Sequence, residues 1–458
     1  MKKLILVFLL SIAFEIAPNH AQDTLEISLK DFIELGISNS GQIKYEKSNI
    51  DLAENRVSLA KDQRILPSLS FRSEHAVVPG VSSPNGFPEE QIYLDPDARN
   101  DWDHAGIYTR LRISGVQPIF TWGAINKTID AAQKAVEATE FEFRAKKDDI
   151  EMRFFELYYS YVLALEIERL LKDAEEKIQQ VENSLDDAQE NGDEIDESDV
   201  YKFKVFKSKF GIQKAEVDQS LLFVKQTWAY ILSNDEGTVY TPSIRFLDPF
   251  ATQLSGIEYY QNSAFLNRNE IRGIDTGKEA LVKYINSKKA QNLPGLYMGF
   301  TATFASTPVR PRQPNPFIST PENTFNTAIG FSIRQNLNFF QAKTQLQRVK
   351  IELKKMDYLS QAAKDGILLE VNQAYQRASV AGVKVSKTDE ALLTTKRWLR
   401  MEQQDYDFGI GEVKDLIDAM KMELELRLKE KESVYDFNTS LAKLNNAAGI
   451  PLLLLEQN

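Results

Sequence analysis

Two stretches of alternating apolar and polar residues, each followed by a very long helical pattern, dominate this sequence. In residues 107–113, isoleucine, threonine and leucine at odd positions alternate with tyrosine and arginine at even positions. Residues 325–335 repeat the alternation with phenylalanine and isoleucine. Because successive side chains of a strand point to opposite faces, both stretches predict strands with one apolar and one polar face.

Short motifs around these strands occur twice, which indicates a duplicated helix–strand–strand–long helix–helix unit. Leu66-Pro67 is echoed by Leu293-Pro294, and Gln117-Pro118-Ile119-Phe120 by Gln335-Asn336-Leu337-Asn338. We expect a first repeat at 22–233, with strands at 68–78 and 106–117 and a helical hairpin at 122–232. A connector follows at 234–254. The second repeat, 255–458, has strands at 296–305 and 325–335 and a hairpin at 340–447.

Four residues are expected to mark the junctions between strands and helices: Pro67, Pro118, Gly123 and Pro294. Proline disfavours helix in the residue before it, so Pro67 and Pro294 should end the preceding helices. Pro118 should end the strand ladder, because it has no N–H to donate. After Gly123 the apolar period becomes helical.

The first long helix has a regular apolar seam. Residues at this seam recur every seven positions, as one core position of a coiled coil does: Leu157, Ala164, Leu171, Ile178 and Leu185. The other core position begins with Phe154 and Tyr161 and then becomes Glu168, Glu175 and Glu182. This second seam predicts a helix that faces water or a partner toward its carboxyl end.

The first 21 residues predict a secretory signal peptide. Met1-Lys2-Lys3 is basic, residues 4–14 are mostly apolar, and Asn19-His20-Ala21 offers a cleavage point. The alternative is a buried N-terminal helix. Elsewhere no segment approaches the ~20 consecutive apolar residues of a membrane-spanning helix, so membrane insertion would have to use strands.

Composition excludes several classes of function. The chain has no cysteine, which rules out thiol catalysis and cysteine metal sites. Beyond the signal peptide its only histidines are His75 and His104, and no catalytic triad, phosphate loop or metal-ligand spacing is evident. We therefore expect neither an enzyme nor a cofactor. The net charge is −11 with no basic patch, so a nucleic-acid partner is also not expected.

Four strands of about ten residues each fit the ~9–11 residues of a strand that crosses a bilayer. An open four-stranded sheet would leave edge N–H and C=O groups unsatisfied in lipid. Three chains can close a barrel of twelve strands, which predicts a homotrimer with lipid around it. The alternative is a soluble protein with a small sandwich and a coiled-coil stalk.

These motifs, in this order and duplicated, resemble the TolC family of bacterial outer-membrane efflux and secretion ducts. The resemblance extends from Leu25 to Leu453 and includes the segment from Tyr406 to Ala419. It implies a mainly α fold with a transmembrane β portion: a trimeric twelve-stranded barrel in the outer membrane, four strands per chain, that continues into a periplasmic α-helical barrel. It also implies a periplasmic adaptor protein and an inner-membrane pump as partners.

By the same resemblance, Gly192 and Gly409 mark the two helix turns at the closed periplasmic tip. Asp415 and Asp418 match acidic positions that line the narrow tip entrance, although acidic residues at a helix start are also explained by the helix dipole. Tyr406 matches a tyrosine that contacts a polar pair, here Ser198 and Asp199. The family's duct type has an arginine where this chain has Gly411, which departs from the pattern of the gate.

The leading functional interpretation is the exit duct of a tripartite efflux system, which passively conducts small molecules or toxic compounds to the exterior. One alternative within this architecture is the outer-membrane component of type I protein secretion. An alternative of another class is a periplasmic coiled-coil scaffold without a pore. Three arginines, Arg110, Arg112 and Arg334, are expected to face the barrel lumen.

Overall fold

A computed structural model of the chain describes residues 24–84, 86, 97–191, 196–233, 238–310, 322–408 and 410–455. The expected signal peptide, 1–21, lies outside these residues. In chain order the described elements are β1 (Thr24–Ile27), α1 (Leu29–Asn39), α2 (Gly41–Asp62), β2 (Ser68–Ser82), β3 (Arg99–Phe120), α3 (Ala124–Asn191), α4 (Glu197–Ile231), β4 (Val239–Pro242), α5 (Ile257–Asn267), α6 (Asn269–Gln291), β5 (Gly295–Ser306), β6 (Thr324–Arg334), α7 (Phe339–Asp407) and α8 (Val413–Ala447). A short 3-10 helix, Leu452–Leu455, follows.

The order of these elements repeats itself. Strand, two helices, two strands, a long helix and a shorter helix occur from β1 to α4 and again from β4 to α8. The two long helices have 68 and 69 residues, and the two that follow them have 35 residues each. The duplicated unit predicted from the sequence motifs is therefore present as a repeated order of elements.

The described chain divides into two compact units. The sheet unit comprises the described parts of Lys44–Lys146 and Phe265–Leu369. It contains one antiparallel sheet of four strands in the order β2-β3-β5-β6, so that β2 and β6 are its edges. Val57 and Ala60 of α2 pack against Ile129 of α3 in a small cluster within this unit.

The strands extend further than the sequence pattern predicts. β2 and β3 continue to pair beyond Val78 and Gly106, with a register shift, up to Ser82 and Arg99. The expectation that Pro118 ends the ladder was wrong, because β3 remains paired with β5 to Phe120 across a bulge. Beyond Val116, β3 is paired on one side only. The backbone nitrogen of Pro118, which has no N–H, can therefore face the unpaired side without the loss of a ladder hydrogen bond.

The helical unit comprises the described parts of Met1–Ile43, Lys147–Ala264 and Glu370–Asn458. Its larger core is aromatic. Phe32 of α1 stacks on Trp228 of α4 with ring centroids 4.2 Å apart, and Tyr158 of α3 lies 5.5 Å from the same indole. All three residues are almost fully buried, and Leu441 of α8 joins them.

A second core in the helical unit lies between α3, α4 and α8. Leu171, Ile178 and Leu185, three members of the predicted apolar seam, are buried there. The acidic seam faces α4, where Glu175 accepts from Lys214 Nζ at 2.7 Å and Glu182 from Lys207 Nζ at 2.6 Å. Two of the three glutamates of this seam, Glu175 and Glu182, therefore form ion pairs with the antiparallel helix of the same chain.

The connector between the repeats contains a strand that the sequence pattern did not predict. β4 pairs in parallel with β1, from Thr24 opposite Val239 to Ile27 opposite Pro242. The helix expected to follow the connector is divided at Arg268 into α5 and α6. None of the helices in the described chain is both long and apolar enough to cross a membrane.

Candidate functional site

One face of the sheet is apolar and exposed. On the edge strand β6, Ile329 and Ile333 are each 76% exposed and Phe331 is 71% exposed. The strand register places Phe300 and Phe304 of β5 on the same face. Exposed apolar area on this scale is unfavourable in water, so this face requires an apolar surrounding.

The opposite face, hereafter the polar face, carries hydroxyl, amide and charged groups. Its members follow from the alternation along each strand and the pairing between strands: Ser70, Arg72, Glu74, Tyr108, Arg110, Arg112, Ser114, Thr301, Thr303, Asn326, Ser332 and Arg334. Ser70 and Ser114 join neighbouring strands through their hydroxyls at 2.8 Å. Glu74 lies 3.6 Å from Arg72 and 4.0 Å from Arg110.

The junctions between helices and strands are fixed by two glutamines in equivalent positions of the repeats. Gln117 donates to the carbonyl of Arg64 at 2.6 Å and accepts from the backbone N–H of Leu66 at 2.8 Å. Gln335 donates to the carbonyl of Asn292 at 3.2 Å. Each glutamine thus satisfies a carbonyl just beyond the end of the helix that precedes Pro67 or Pro294.

The turn into α3 is also tightly specified. Trp122 and Gly123 both adopt positive φ, 55° and 71°. Only glycine adopts this conformation without strain, which explains Gly123. Trp122 is held by a hydrogen bond of 2.9 Å from its indole Nε1 to the carbonyl of Pro294. Of the predicted junction residues, Pro67 and Pro294 each directly precede a strand, Gly123 directly precedes α3, and Pro118 lies inside β3, two residues before its end.

At the start of α4, an acidic cluster caps the helix. The Asp196 side chain accepts from the backbone N–H of Ser198 at 2.9 Å, as an N-cap does. Asp199, which is 7% exposed, accepts from Lys202 Nζ at 2.9 Å. That hydrogen bond raises the pKa of Lys202, burial opposes the shift, and the charges of Asp199, Asp196 and Asp418 add to it.

The turn between α7 and α8 is held by two backbone hydrogen bonds to one carbonyl. Asp405 O accepts from the backbone N–H groups of Ile410 and Gly411, at 3.0 and 2.9 Å. A Cβ at Gly411 would lie 2.8 Å from the backbone nitrogen of Tyr406 and 2.9 Å from the carbonyl carbon of Asp405. Neither atom belongs to a flexible side chain, so no residue larger than glycine fits this turn without a backbone shift.

The predicted acidic residues of α8 differ in their surroundings. Asp415 is half-buried in the first turn of the helix, and Asp418 is exposed. Ser198, Lys202 and Asp418 line one groove of about 650 Å³ between α4 and α8. Tyr406 and Leu416 line a second groove, of about 590 Å³, between α3, α7 and α8. Gly192 and Gly409 lie outside the described residues.

Comparison with solved structures identifies the architecture. The CmeC outer membrane channel of Campylobacter jejuni matches 92% of this chain and 85% of its own, with a TM-score of 0.70 and 14% identity. The outer membrane protein VceC of Vibrio cholerae matches 93% of this chain and 96% of its own, with a TM-score of 0.67 and 16% identity. The chain has the TolC-like fold.

The open state of the MtrE outer membrane channel of Neisseria gonorrhoeae has the same TolC-like fold. It matches 93% of this chain and 89% of its own, with a TM-score of 0.66 and 12% identity. No family model and no curated protein matches the sequence. The likeness is therefore one of architecture, and the predicted fold class is confirmed by it.

The TolC-like fold leaves the roles of individual tip residues as predictions. Pore lining by Asp415 and Asp418, and contact of Tyr406 with Ser198 and Asp199, stay predictions. Lys202 was missed, although the three-residue spacing from Asp199 is a signal for an ion pair on one helix face. Within the described residues, no group of three or more His, Asp or Glu side chains could hold a metal ion.

Proposed function

We propose that this chain is the outer-membrane exit duct of a tripartite efflux system. In this role it passively conducts small molecules or toxic compounds from a periplasmic adaptor and an inner-membrane pump to the exterior. The observation that carries the proposal is the four-stranded sheet with an exposed apolar face and two open edges. This sheet belongs to a fold that the chain shares with the outer membrane channels CmeC and MtrE.

The apolar face and the open edges support insertion into the outer membrane as a closed trimer. The apolar face suits lipid, and the polar face suits a water-filled lumen. Unpaired N–H and C=O groups along β2 and β6 would each cost several kcal/mol in hydrocarbon. Pairing β6 of one copy with β2 of the next removes both edges, and three copies give a barrel of twelve strands.

The helical unit supports the periplasmic part of the proposal. Its two helical hairpins, α3–α4 and α7–α8, bring two turns and the acidic residues Asp199, Asp415 and Asp418 to the same ends of the helices. In a trimer, Asp415 and Asp418 supply six carboxylates to one constriction, where low-dielectric walls focus their field. The duct would therefore select cations at this end and bind multivalent cations there.

Cross-linking tests the trimer. Ser70 on β2 and Ala328 on β6 lie in one row of the polar face, at opposite edges of the sheet. Because the chain has no cysteine, Ser70→Cys with Ala328→Cys introduces the only thiols. A flexible bis-maleimide should then give cross-linked species of up to three chains on a denaturing gel. Each single variant should give cross-linked dimers at most. A folded monomer in lipid would contradict the proposal.

Single-channel recording tests conduction. Purified protein in a planar bilayer should give discrete conductance steps, and Asp415→Asn with Asp418→Asn should reduce cation selectivity and block by trivalent cations. The matched control is Glu176→Gln on α3, an exposed acid for which the described residues provide no ion pair. Absence of conductance in correctly assembled trimers would favour a scaffold without a pore.

A further inference from the structure

Outside the two-stranded extension of β2 and β3, the charges of the sheet are concentrated on its polar face. Within 68–78, 106–120, β5 and β6, the residues charged at neutral pH are Arg72, Glu74, Arg110, Arg112 and Arg334. All five belong to the polar face. Four arginines and one glutamate give +3 per chain, in a protein whose net charge is −11. We infer that the part of this face around Arg72, Arg110 and Arg112 is a selectivity collar for organic anions.

The arrangement of the arginines is not that of paired structural charges. Arg72 lies directly opposite Arg112 across the strand pair, an arrangement of like charges that destabilises a sheet. Glu74 is shared between Arg72 and Arg110, at 3.6 and 4.0 Å. Among the described residues, Arg112 has no carboxylate partner. The collar thus retains positive charge that the sheet itself does not neutralise.

Hydrogen-bond donors on this face are also left available. Arg110 Nε is buried and has no acceptor among the described residues. A buried donor without a partner costs free energy, which an anion would recover if the part-exposed guanidinium of Arg110 turned to meet it. Arginine also presents a planar fork that binds carboxylate, sulfate and phosphate groups through two parallel hydrogen bonds. These groups define the class of cargo.

Neighbouring residues favour an organic anion over an inorganic one. Arg334 lies over the ring of Tyr297, 5.4 Å from its centroid, on the same face but nearer to the helices, eight residues along β6 from Asn326 in the row of Arg112. Tyr108 lies on that face two positions from Arg110. Aromatic rings beside guanidinium groups provide apolar area for the body of an amphiphilic anion while the arginines bind its charged group.

A lipid headgroup is not the expected occupant of the collar. Alternation along the strands puts the arginines on the side opposite the exposed Ile329, Phe331 and Ile333. Lipid tails would contact those apolar side chains, so the arginines face away from the lipid. In a trimer, Arg72, Arg110, Arg112 and Glu74 give the collar about six net positive charges, and their influence extends about one Debye length, ~10 Å at 0.1 M salt.

This inference rests on the proposed duct, and ion selectivity tests it. The experiment uses the trimer with Asp415→Asn and Asp418→Asn under a KCl gradient. These two substitutions prevent the tip carboxylates from dominating the measured ion selectivity. Arg110→Gln with Arg112→Gln should lower the chloride-to-potassium permeability ratio about threefold at 0.1 M, and much less at 1 M, where salt screens the collar. Sodium benzoate and benzenesulfonate serve as organic-anion probes, and their permeability should fall with that of chloride.

Two further variants make the result decisive. Glu74→Gln should shift the ratio in the opposite direction, because it removes the carboxylate and leaves every arginine in place. Arg99→Gln is the matched control, since Arg99 lies on the same strand but beyond the four-stranded part of the sheet. Conductance with unchanged ratios in both collar variants would overturn the collar alone. Absence of any conductance in the wild-type trimer would overturn the duct and the collar together.

Discussion

The sheet and the helices beside the two turns differ in whether their apolar residues are buried within the chain. Ile329 and Phe331 of β6 are mostly exposed, whereas Leu416 of α8 is fully buried and Leu171 of α3 nearly so. The helices beside the turns therefore have a core within the chain. The sheet has none on its apolar face, so its stability must come from lipid and from neighbouring strands.

The two regions also differ in charge. The polar face of the sheet is basic, whereas α4 and α8 begin with acidic residues, among them Asp199, Asp415 and Asp418. A duct built from both would have an anion-favouring collar and a cation-favouring constriction. Substitutions in the sheet should therefore act through trimer assembly and through transfer of side chains into lipid, and those near the turns through local packing.

The largest expected effect is an arginine on the apolar face of the sheet. Ile329→Arg would place a charge in lipid, at a cost of about 2–4 kcal/mol near the bilayer midplane. Urea unfolding of the protein in liposomes measures it, with the fraction of trimer that survives heating in detergent as a second readout. Ala328→Arg is the matched control, because Ala328 is the adjacent exposed residue on the polar face. Equal losses in the two variants would contradict the assignment of the faces.

Near the turns, the largest local effect is expected at Gly411. Gly411→Ala forces a Cβ to within 3.0 Å of three atoms of Asp405 and Tyr406, and overpacking of this kind costs typically about 1–3 kcal/mol. The turn should open, so limited proteolysis at residues 405–412 should accelerate. Resting conductance should rise if this turn helps to close the tip.

Gly211→Ala provides the opposite outcome in the same unit. Gly211 lies in the middle of α4, and a Cβ there would meet nothing within 4 Å. Alanine in place of a helical glycine should stabilise the helix by roughly 0.5–1 kcal/mol. If Gly411→Ala were equally harmless, the tight packing of the turn would be refuted, and an arginine at this position would be tolerated.

The sheet was predictable from the sequence because its strands alternate and its lengths match a bilayer. The paired extension of β2 and β3 was not, because the segment between Val78 and Gly106 contains prolines and acids that resemble a loop. The continuation through Pro118 depends on which side of β3 is paired. That is a property of the assembled sheet and not of the local residues.

The helices beside the turns were predictable in their apolar seam but not in their polar contacts. A signal for the glutamate pairs was nevertheless present. The step of seven residues from Glu175 to Glu182 along α3 is matched by a step of seven from Lys214 back to Lys207 along α4. An antiparallel hairpin aligns such steps. The tight turn at Gly411 had no such signal, because it depends on the path of the backbone between two helices.

The smallest expected effect concerns an ion pair between α3 and α8. Asp173 accepts from Arg427 Nη1 at 2.5 Å, and this hydrogen bond holds the pKa of Asp173 below its ordinary value. Burial opposes the shift, and the charge of Lys177 adds to it. A depressed carboxyl pKa stabilises the fold above the unfolded value of 3.8, and the contribution is lost as pH falls through the folded value. Asp173→Asn should therefore destabilise at pH 7, and the difference from the wild type should shrink as the pH falls below 3.8.

Because the Asp173 side chain is 46% exposed, solvent screens the pair, and about 0.2–1 kcal/mol is expected. Glu176→Gln on the same helix is the control and should change little. Arg427→Gln should cost more than Asp173→Asn, because it also removes the cation 3.6 Å from Glu423, whose side chain is only 9% exposed. The loss of its cation costs a buried carboxylate more free energy than it costs an exposed one.

The urea midpoint of the helical unit, followed by hydrogen exchange of α8 amides, measures both variants. Equal costs would show that Glu423 does not depend on Arg427.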